Sequence, residues 1–473
     1  MLAGIWMGVA LAQAGASAPE ITVYNQGFAL VKEVRRLELK PGRQQIRVED
    51  VAALIEPNSV GVRKLQGAGD FVVLEQNYQY DLISPLAILN KAVGQKVRFI
   101  RLLQNGQKDV VTGTLLSSPT AVVNPSGEGA QTTYNGLVIR TDDGRILLNP
   151  SGEIEVMQIP EGMISKPTLV WDVDAQPGAV EAELSYLTRG MTWSADYVLT
   201  LDGSGKAGLI GWVTLNNSSG ATFKDAKLKL MAGDVQRVET QRMGLRGGMG
   251  GAMPMMAKAD QFQEESLFEY HLYTLQRPAT VRDKETKQIQ LLAGEGVPVE
   301  KKLIVDALRD FGRYFPSEGE FGTGNLKPQV RVEFVNSEKN GLGMPLPKGN
   351  VKVYQRDASG SVQMLGEDAI DHTPKDERIS LVVGRSFDVV AERRRTNFRR
   401  LAPTTVEESF EIEVRNRKST PETVHVYERR YGDWKVTQKS QDFAKLDANT
   451  IDFVVQLKAG ETKKVSYTVI TSW

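Results

Sequence analysis

Apolar and polar residues alternate along most of the chain after Pro19, and β-branched and aromatic residues are enriched at the apolar positions. A period of two residues is typical of strands that bury one face. Gly, Pro, Asn and Asp residues separate the alternating segments, as turns between strands require. The pattern predicts an all-β protein built from tandem β-sandwich or immunoglobulin-like units.

The spacing of the predicted strands divides the chain into three β units. The N-terminal unit covers residues 19–165 and contains a short helical segment, Leu82 to Val93, that ends at Gly94. Within this unit, short strands between about residues 94 and 160 predict a small Sm-like barrel. A central sandwich over residues 166–384 is interrupted by a flexible Gly- and Met-rich loop at 238–262. An immunoglobulin-like sandwich at 385–473 completes the chain.

Residues 1–18 form an apolar run that ends in small residues, as signal peptides do. Ala12-Gln13-Ala14 fits the small-x-small cleavage pattern, so we expect a cut after Ala14. No Lys or Arg precedes the apolar stretch, which leaves an uncleaved anchor or a misplaced start codon as alternatives. No later stretch has the length of a membrane helix. The sequence therefore predicts an exported protein of the periplasm or the cell surface without a transmembrane segment in its mature chain.

Composition removes several classes of function. The 473 residues include 58 Lys and Arg against 58 Asp and Glu, so the net charge is zero and the field that draws proteins to nucleic acids is missing. The chain has no Cys, which excludes disulfides, thiolate metal sites and a Cys nucleophile. Partners are therefore expected among envelope polymers and proteins, and not among nucleic acids.

The sequence carries no G-x-S-x-G elbow, no H-E-x-x-H motif and no P-loop, and its three His offer little general-base capacity. A pair of glycosidase-type carboxylates would depend on the fold and cannot be recognised from sequence spacing. We therefore favour a non-enzymatic protein.

An acidic cluster is the best candidate for metal chemistry. Its core is Glu367, Asp368, Asp371 and His372, and Asp376 and Glu377 follow. Oxygen ligands with one imidazole could hold Ca²⁺ or Mn²⁺, although the spacing matches no EF-hand loop. The alternative, which we favour, is a solvated loop between strands. Cu(I) binding by the Met residues of Met243 to Ala257 is likewise less favoured than a flexible tether.

Five guanidiniums fall within eight residues, and they could bind an anionic envelope polymer. They belong to Arg393, Arg394, Arg395, Arg399 and Arg400. The favoured alternative is a charged strand that pairs with Glu407, Glu408, Glu411 and Glu413 of the next strand. Trp171, Trp193, Trp212 and Trp434 are interpreted as core or interface aromatics and not as a platform for sugars.

Four spaced motifs carry a resemblance to a known family. They are LSYLTRGMTWSADY at Leu184 to Tyr197, YHLYTLQRP at Tyr270 to Pro278, NSEKNGLGMPLPKGN at Asn336 to Asn350 and GEDAIDHTP at Gly366 to Pro374. With these motifs the chain resembles the bacterial domain of unknown function 4139 family, whose members are called mucoidy inhibitor A-like, in a short form without the coiled-coil insertion. The resemblance implies an exported or envelope-associated all-β protein, and it brings no catalytic residues.

Three functions follow from these observations. The first is a non-enzymatic structural or interaction module of the bacterial envelope, with self-association as one form of interaction. The second is an anionic polysaccharide-binding protein that uses the Arg393 to Arg400 strip. The third is a metal-dependent hydrolase that uses the cluster from Glu367 to Glu377. No cofactor is expected beyond the Ca²⁺ or Mn²⁺ of that third hypothesis.

Overall fold

A computed structural model describes residues 9–14, 18–102, 107–123, 131–134, 136–150, 152–233, 235–237, 261–308 and 323–473. The all-β prediction is confirmed, because strands dominate the described residues. A short helix, α1 (Pro85–Lys91), begins after Ser84, whose side chain accepts a hydrogen bond from the N–H of Ala87. Two 3₁₀ turns cover Pro57–Ser59 and Glu338–Asn340. No helix among the described residues has the length and apolar content needed to cross a bilayer.

The strands of the first half are β1 (Val9–Leu11), β2 (Gln13–Ala14), β3 (Glu20–Tyr24), β4 (Phe28–Leu39), β5 (Gly42–Glu49), β6 (Gly61–Gly67), β7 (Asp70–Gln79), β8 (Lys96–Leu102), β9 (Lys108–Leu115), β10 (Thr120–Val123), β11 (Gln131–Tyr134), β12 (Val138–Thr141), β13 (Ile146–Leu148), β14 (Glu153–Val156), β15 (Thr168–Gln176), β16 (Gly178–Arg189), β17 (Met191–Leu201), β18 (Lys206–Asn217) and β19 (Phe223–Ala232).

The strands of the second half are β20 (Phe262–Leu267), β21 (Tyr270–Leu275), β22 (Ala279–Val281), β23 (Glu285–Pro298), β24 (Glu300–Asp306), β25 (Gly324–Leu326), β26 (Gln329–Val335), β27 (Gly349–Arg356), β28 (Val362–Ile370), β29 (Arg378–Arg385), β30 (Val389–Ala402), β31 (Thr405–Asn416), β32 (Glu422–Arg429), β33 (Asp433–Lys439), β34 (Ala444–Lys445), β35 (Thr450–Leu457) and β36 (Thr462–Ser472).

The largest hydrophobic core joins strands from two of the predicted units. The N-terminal sheet has the order β20-β21-β19-β3-β4-β16-β6, and the central sheet has the order β23-β18-β17-β27-β28. A third sheet, β1-β5-β15-β7, contributes the fully buried Trp171. One continuous cluster contains Ile21 near the start of the chain and Leu381 on β29. The strands of residues 19–165 and 166–384 are therefore interleaved around a common core.

The segment predicted as an Sm-like barrel forms a separate five-stranded sheet with the order β13-β12-β9-β8-β14 and its own small core. The expectation of a closed barrel is corrected, because its end strands β13 and β14 are not paired in the described residues. Closure requires the last strands to meet with a fixed stagger. β13 has three residues and leaves Leu148 73% exposed, so it ends the sheet instead.

The C-terminal part is a sandwich of two sheets, β29-β26-β24-β32-β35-β34 and β25-β30-β31-β36-β33. Its core contains Phe410, Phe453 and Tyr467, and also Leu303 and Leu326, which precede residue 385. The spacing of the predicted strands placed the unit boundary at 384/385, whereas strands on both sides of that position build this sandwich.

Part of the predicted leader is a strand in this structure. β1 pairs in parallel with Gln45–Arg47 of β5, and β2 pairs with β4. Removal of this segment during export stays a prediction.

Leu184 and Leu65 provide a matched test of the common core. Leu184 on β16 is fully buried, whereas Leu65 on the neighbouring edge strand β6 is 44% exposed. We expect Leu184→Ala to lower the free energy of unfolding by about 2–5 kcal/mol, because it removes buried methyl groups and leaves a cavity. Leu65→Ala should stay within about 0.5 kcal/mol of the parent in the same urea titration. Equal losses in the two variants would contradict the assigned core.

Candidate functional site

Three of the motif segments meet around the loop that precedes β27. The Tyr197 hydroxyl of β17 donates to the carbonyl of Pro347 at 2.7 Å, and the Tyr273 hydroxyl of β21 donates to the carbonyl of Pro345 at 2.9 Å. Burial raises the pKa of both phenols, which keeps them protonated as donors. Trp193 packs against the Tyr273 ring in an edge-on arrangement. Hydrogen bonds from β17 and β21, which are far apart in the sequence, therefore fix two carbonyls of this loop.

Asn336 fixes the same loop from the other side. Its Nδ2 donates to the carbonyls of Met344 and Pro374 at 2.9 and 3.0 Å, and its Oδ1 accepts from the Gly343 N–H at 3.1 Å. Asn336 is fully buried, and its three bonds pair its own amide and three backbone groups of the two loops. Asn336 thereby joins the motif at 336–350 to the motif at 366–374.

Asn217 and Asn416 repeat this arrangement at the ends of β18 and β31. The Nδ2 of each donates to the carbonyl four residues later, at 2.9 and 2.8 Å. The Oδ1 of each accepts from the backbone N–H two residues later, at 3.0 Å. The sequence analysis did not identify these asparagines. The sequence pattern that could have identified them is an Asn at the end of a long alternating segment, directly before a polar turn.

An open cleft of about 410 Å³ lies where the β3–β4 turn meets the beginnings of β17 and β27. The register places Asp196 opposite Asn350, and Asn350 opposite Ala369 on β28. Side chains directly opposite one another share a sheet face and lie about 5 Å apart. The cleft is lined by Asn25, Gln26, Trp193, Ser194, Ala195, Asp196, Lys348, Gly349, Asn350 and Ala369.

The polar groups of this cleft are only partly used within the chain. Asp196 accepts a hydrogen bond from the Thr214 hydroxyl at 3.0 Å. The Oδ1 atom of Asn25 is buried and has no hydrogen-bond partner among the described residues. A buried acceptor left unpaired costs free energy.

The predicted metal ligands lie near one another in sequence but point to different partners. Asp368 accepts hydrogen bonds from the N–H groups of Val382 and Ala369 at 2.7 and 2.9 Å. His372 Nδ1 accepts from the Lys348 N–H at 3.2 Å, while Glu367 and Asp371 are exposed. No three His, Asp or Glu side chains in the described part of the chain are grouped to hold a metal ion. Metal binding here stays a prediction that this geometry does not favour.

The predicted Cu(I) ligands of the Met-rich segment fall outside the described residues. The four tryptophans that we interpreted as core or interface residues differ in burial. Trp171 and Trp193 are in the core, at 0% and 3% exposure, whereas Trp212 and Trp434 are only partly buried.

Strand alternation and two β-bulges split the five-arginine strip between the two faces of its sheet. Arg393 and Arg395 point into the sandwich, with side chains 1% and 5% exposed. Arg394 and Arg399 are each 63% exposed. Register shifts follow Arg395 and Arg400, and these shifts interrupt a strict alternation. Exposed Arg400 donates to a loop carbonyl at 3.3 Å.

Two exposed members of the strip, Arg394 and Arg399, have carboxylate partners. Arg399 pairs with Glu407 across the strands at 3.0 Å, and Arg394 pairs with Glu392 on its own strand. Arg395 bonds inward to Glu408 at 3.0 Å. Of the four acids expected to pair with the strip, Glu407 and Glu408 do so, whereas Glu411 pairs with Lys464 and Glu413 with Arg415. Polymer binding by the strip stays a prediction.

Arg393 belongs to a buried charge network in the C-terminal core. Its guanidinium makes two bonds of 2.8 Å to Glu428 and lies 3.9 Å from the Phe410 ring centroid. Arg430 and the Tyr467 hydroxyl also donate to Glu428, at 2.7 and 2.6 Å. Burial alone would raise the pKa of Glu428, but the Arg393 and Arg430 charges outweigh it and lower this pKa to about 2. The network thus stabilises the ionised carboxylate.

Comparison with known families adds one match. Residues 21–98 match the family described as an N-terminal domain of unknown function (DUF4140). A search of curated proteins finds no match. The matched residues run from β3 into β8 and include the Asn25–Gln26 wall of the cleft. The chain is thus similar to domains of unknown function, and the finer 4139 assignment of the later motifs stays a prediction.

Asn336→Ala tests the loop clamp. The substitution leaves two carbonyls and one N–H without their side-chain partner, so we expect a loss of about 1–3 kcal/mol in the free energy of unfolding. Asn77→Ala, at an exposed position on β7, is the control and should change the free energy of unfolding little. Amide hydrogen exchange should also rise at Gly343 in the first variant, and unchanged protection there would contradict the clamp.

Glu428→Gln tests the buried charge network. The variant leaves two buried guanidiniums without their carboxylate, so we expect a loss of about 3–5 kcal/mol at neutral pH. Because the folded pKa is depressed, the stability from Glu428 is full above its ordinary value of 4.5 and is lost as the pH falls toward about 2.

Urea unfolding at several pH values measures both effects. The acid-dependent loss should shrink in Glu428→Gln. Glu411→Gln, which removes a 3.0 Å pair with Lys464 on the outer face, should cost at most about 1 kcal/mol. Identical pH dependence in the parent and Glu428→Gln would rule out the network as its source.

Proposed function

We propose that the protein is an exported, non-enzymatic β scaffold that acts as a structural or interaction module of the bacterial cell envelope. Its partner is an envelope polymer or an envelope protein. The observation that carries the proposal is the open cleft next to the loop that Asn336, Tyr197 and Tyr273 fix by hydrogen bonds. A cleft with several polar side chains beside a packed core is suited to binding. Export is supported by the leader-like residues 1–18.

The cleft, and not the arginine strip, is the binding surface of this proposal. Arg394 and Arg399 already have carboxylate neighbours, and an anionic polymer would have to displace them or meet their negative charge. Asn25, Gln26 and Asn350 instead offer amide donors and acceptors at the cleft.

Expression with two leader variants tests export. Ala14→Arg places a large charged side chain at the expected cleavage position, whereas Ala18→Arg places the same side chain beyond it. We expect the parent and Ala18→Arg to begin at Gly15 in the envelope or periplasmic fraction, and Ala14→Arg to keep its leader. N-terminal sequencing after fractionation measures the outcome. A full-length parent chain in the cytoplasm would contradict the proposal.

Photo-crosslinking in intact cells tests the interaction. A benzoylphenylalanine at Gln26, on the rim of the cleft, should form an adduct with an envelope component. The same group at exposed Asn77 on β7 should not form that adduct. Equal adducts at both positions would argue against the cleft as the binding surface.

A further inference from the structure

We propose that the cleft beside β17 and β27 binds an uncharged saccharide. This inference rests on the proposed function only in taking the ligand from the envelope, since the binding site itself is argued from the geometry.

Most hydrogen-bonding groups around the cleft are those that sugar hydroxyls can match. Amides of Asn25, Gln26 and Asn350 both donate and accept, and the Ser194 hydroxyl does the same. The unpaired Oδ1 of Asn25 is closed to water, so a ligand hydroxyl would pair with it only after this side chain turned toward the cleft. A polyhydroxylated ligand supplies donors and acceptors on every side, as this mixed lining requires.

An aromatic residue continues the row of polar side chains. The register pairs Asp196 with Trp212 on β18, so Trp212, Asp196, Asn350 and Ala369 occupy neighbouring positions on one sheet face. Trp212 is only partly buried, unlike the core residues Trp171 and Trp193. The apolar C–H face of a sugar ring packs well on an indole, while its hydroxyls reach the adjacent carboxylate and amide. Trp212 lies one strand beyond the residues that line the cleft, next to Asp196, so a sugar that extends from the cleft would meet the indole there.

The charges of the lining favour a neutral ligand. Asp196 and Lys348 bring one negative and one positive group, and the remaining lining residues are uncharged. The two opposite charges give the lining no net charge, so it offers no net attraction to an anionic or a cationic polymer. The volume of about 410 Å³ lies within the range of about 300–1,000 Å³ that small-molecule sites occupy.

An extended peptide is the competing occupant, because β17 pairs with β27 only from Ala195 onward. Peptide addition to an edge depends on accessible backbone. Met191 and Trp193 of this stretch are 0% and 3% exposed, whereas Ser194 is exposed. The amides of Asn25, Gln26 and Asn350 also line the cleft, and these side chains are the groups that favour a saccharide over a peptide.

Fluorine NMR of the mature protein labelled with 5-fluorotryptophan tests the proposal. The resonances of Trp193 and Trp212 are assigned through Trp193→Phe and Trp212→Phe, and the probes are cellotetraose, maltotetraose, chitotetraose and mannotetraose. We expect at least one of these neutral sugars to shift the Trp212 resonance in a saturable way. Asn350→Ala should weaken its affinity by about tenfold through loss of hydrogen bonds, and Asn77→Ala should leave it unchanged.

Asn350 is exposed, and its folding is checked through the unperturbed resonances of the other tryptophans. No saturable shift with any of the four sugars would overturn the proposal, as would equal affinity in Asn350→Ala. Shifts produced only by an alginate oligomer or by an extended peptide would also overturn it. The measurement uses purified protein, so it can fail while the export test succeeds, and it can succeed while export fails.

Discussion

Backbone groups that leave a strand inside an apolar core must find hydrogen-bond partners, and much of this structure depends on how asparagines meet that requirement. Asn217, Asn336 and Asn416 each follow or end a strand. The Nδ2 of each donates to two or more carbonyls, and the Oδ1 of each accepts from a backbone N–H. In this way the three asparagines pair backbone groups of the irregular loops where these loops leave the core. The loop fixed by Asn336 forms one wall of the candidate site. The hydrogen bonds that pair the backbone of this loop therefore also determine the shape of the site.

The C-terminal sandwich solves a related problem with charge. Glu428 is fully buried, yet two guanidiniums and a phenol surround it, and together they outweigh the cost of its burial. The same strand that buries Arg393 exposes Arg394, because successive residues point to opposite faces. A run of arginines on a strand is therefore two sets of residues with separate roles. One set fills the interior, and the other balances the acids of the outer sheet face.

The candidate cleft lies where two sequence regions meet. The β3–β4 turn belongs to the residues that match the N-terminal domain of unknown function, and β17 and β27 carry motifs of the later region. Neither region forms the cleft alone, because Asn25 and Asn350 are more than three hundred residues apart in the sequence. The interleaved core holds them together, and this arrangement explains why motifs far apart in the chain depend on one another.

The sequence by itself determined the local features of this protein. Period-two alternation depends only on neighbouring residues, so the all-β class, the burial of Trp171 and the positions of many strands could be predicted. It also indicated that acids after Arg400 would balance the arginine strip. Tertiary structure alone decided the pairing of strands that are far apart in the sequence. Pairing depends on contacts between distant residues, so the common core, the open five-stranded sheet and the row from Trp212 to Ala369 left no periodic signal. The cleft arises from that long-range register, which is the physical reason that composition and motif spacing pointed to other residues.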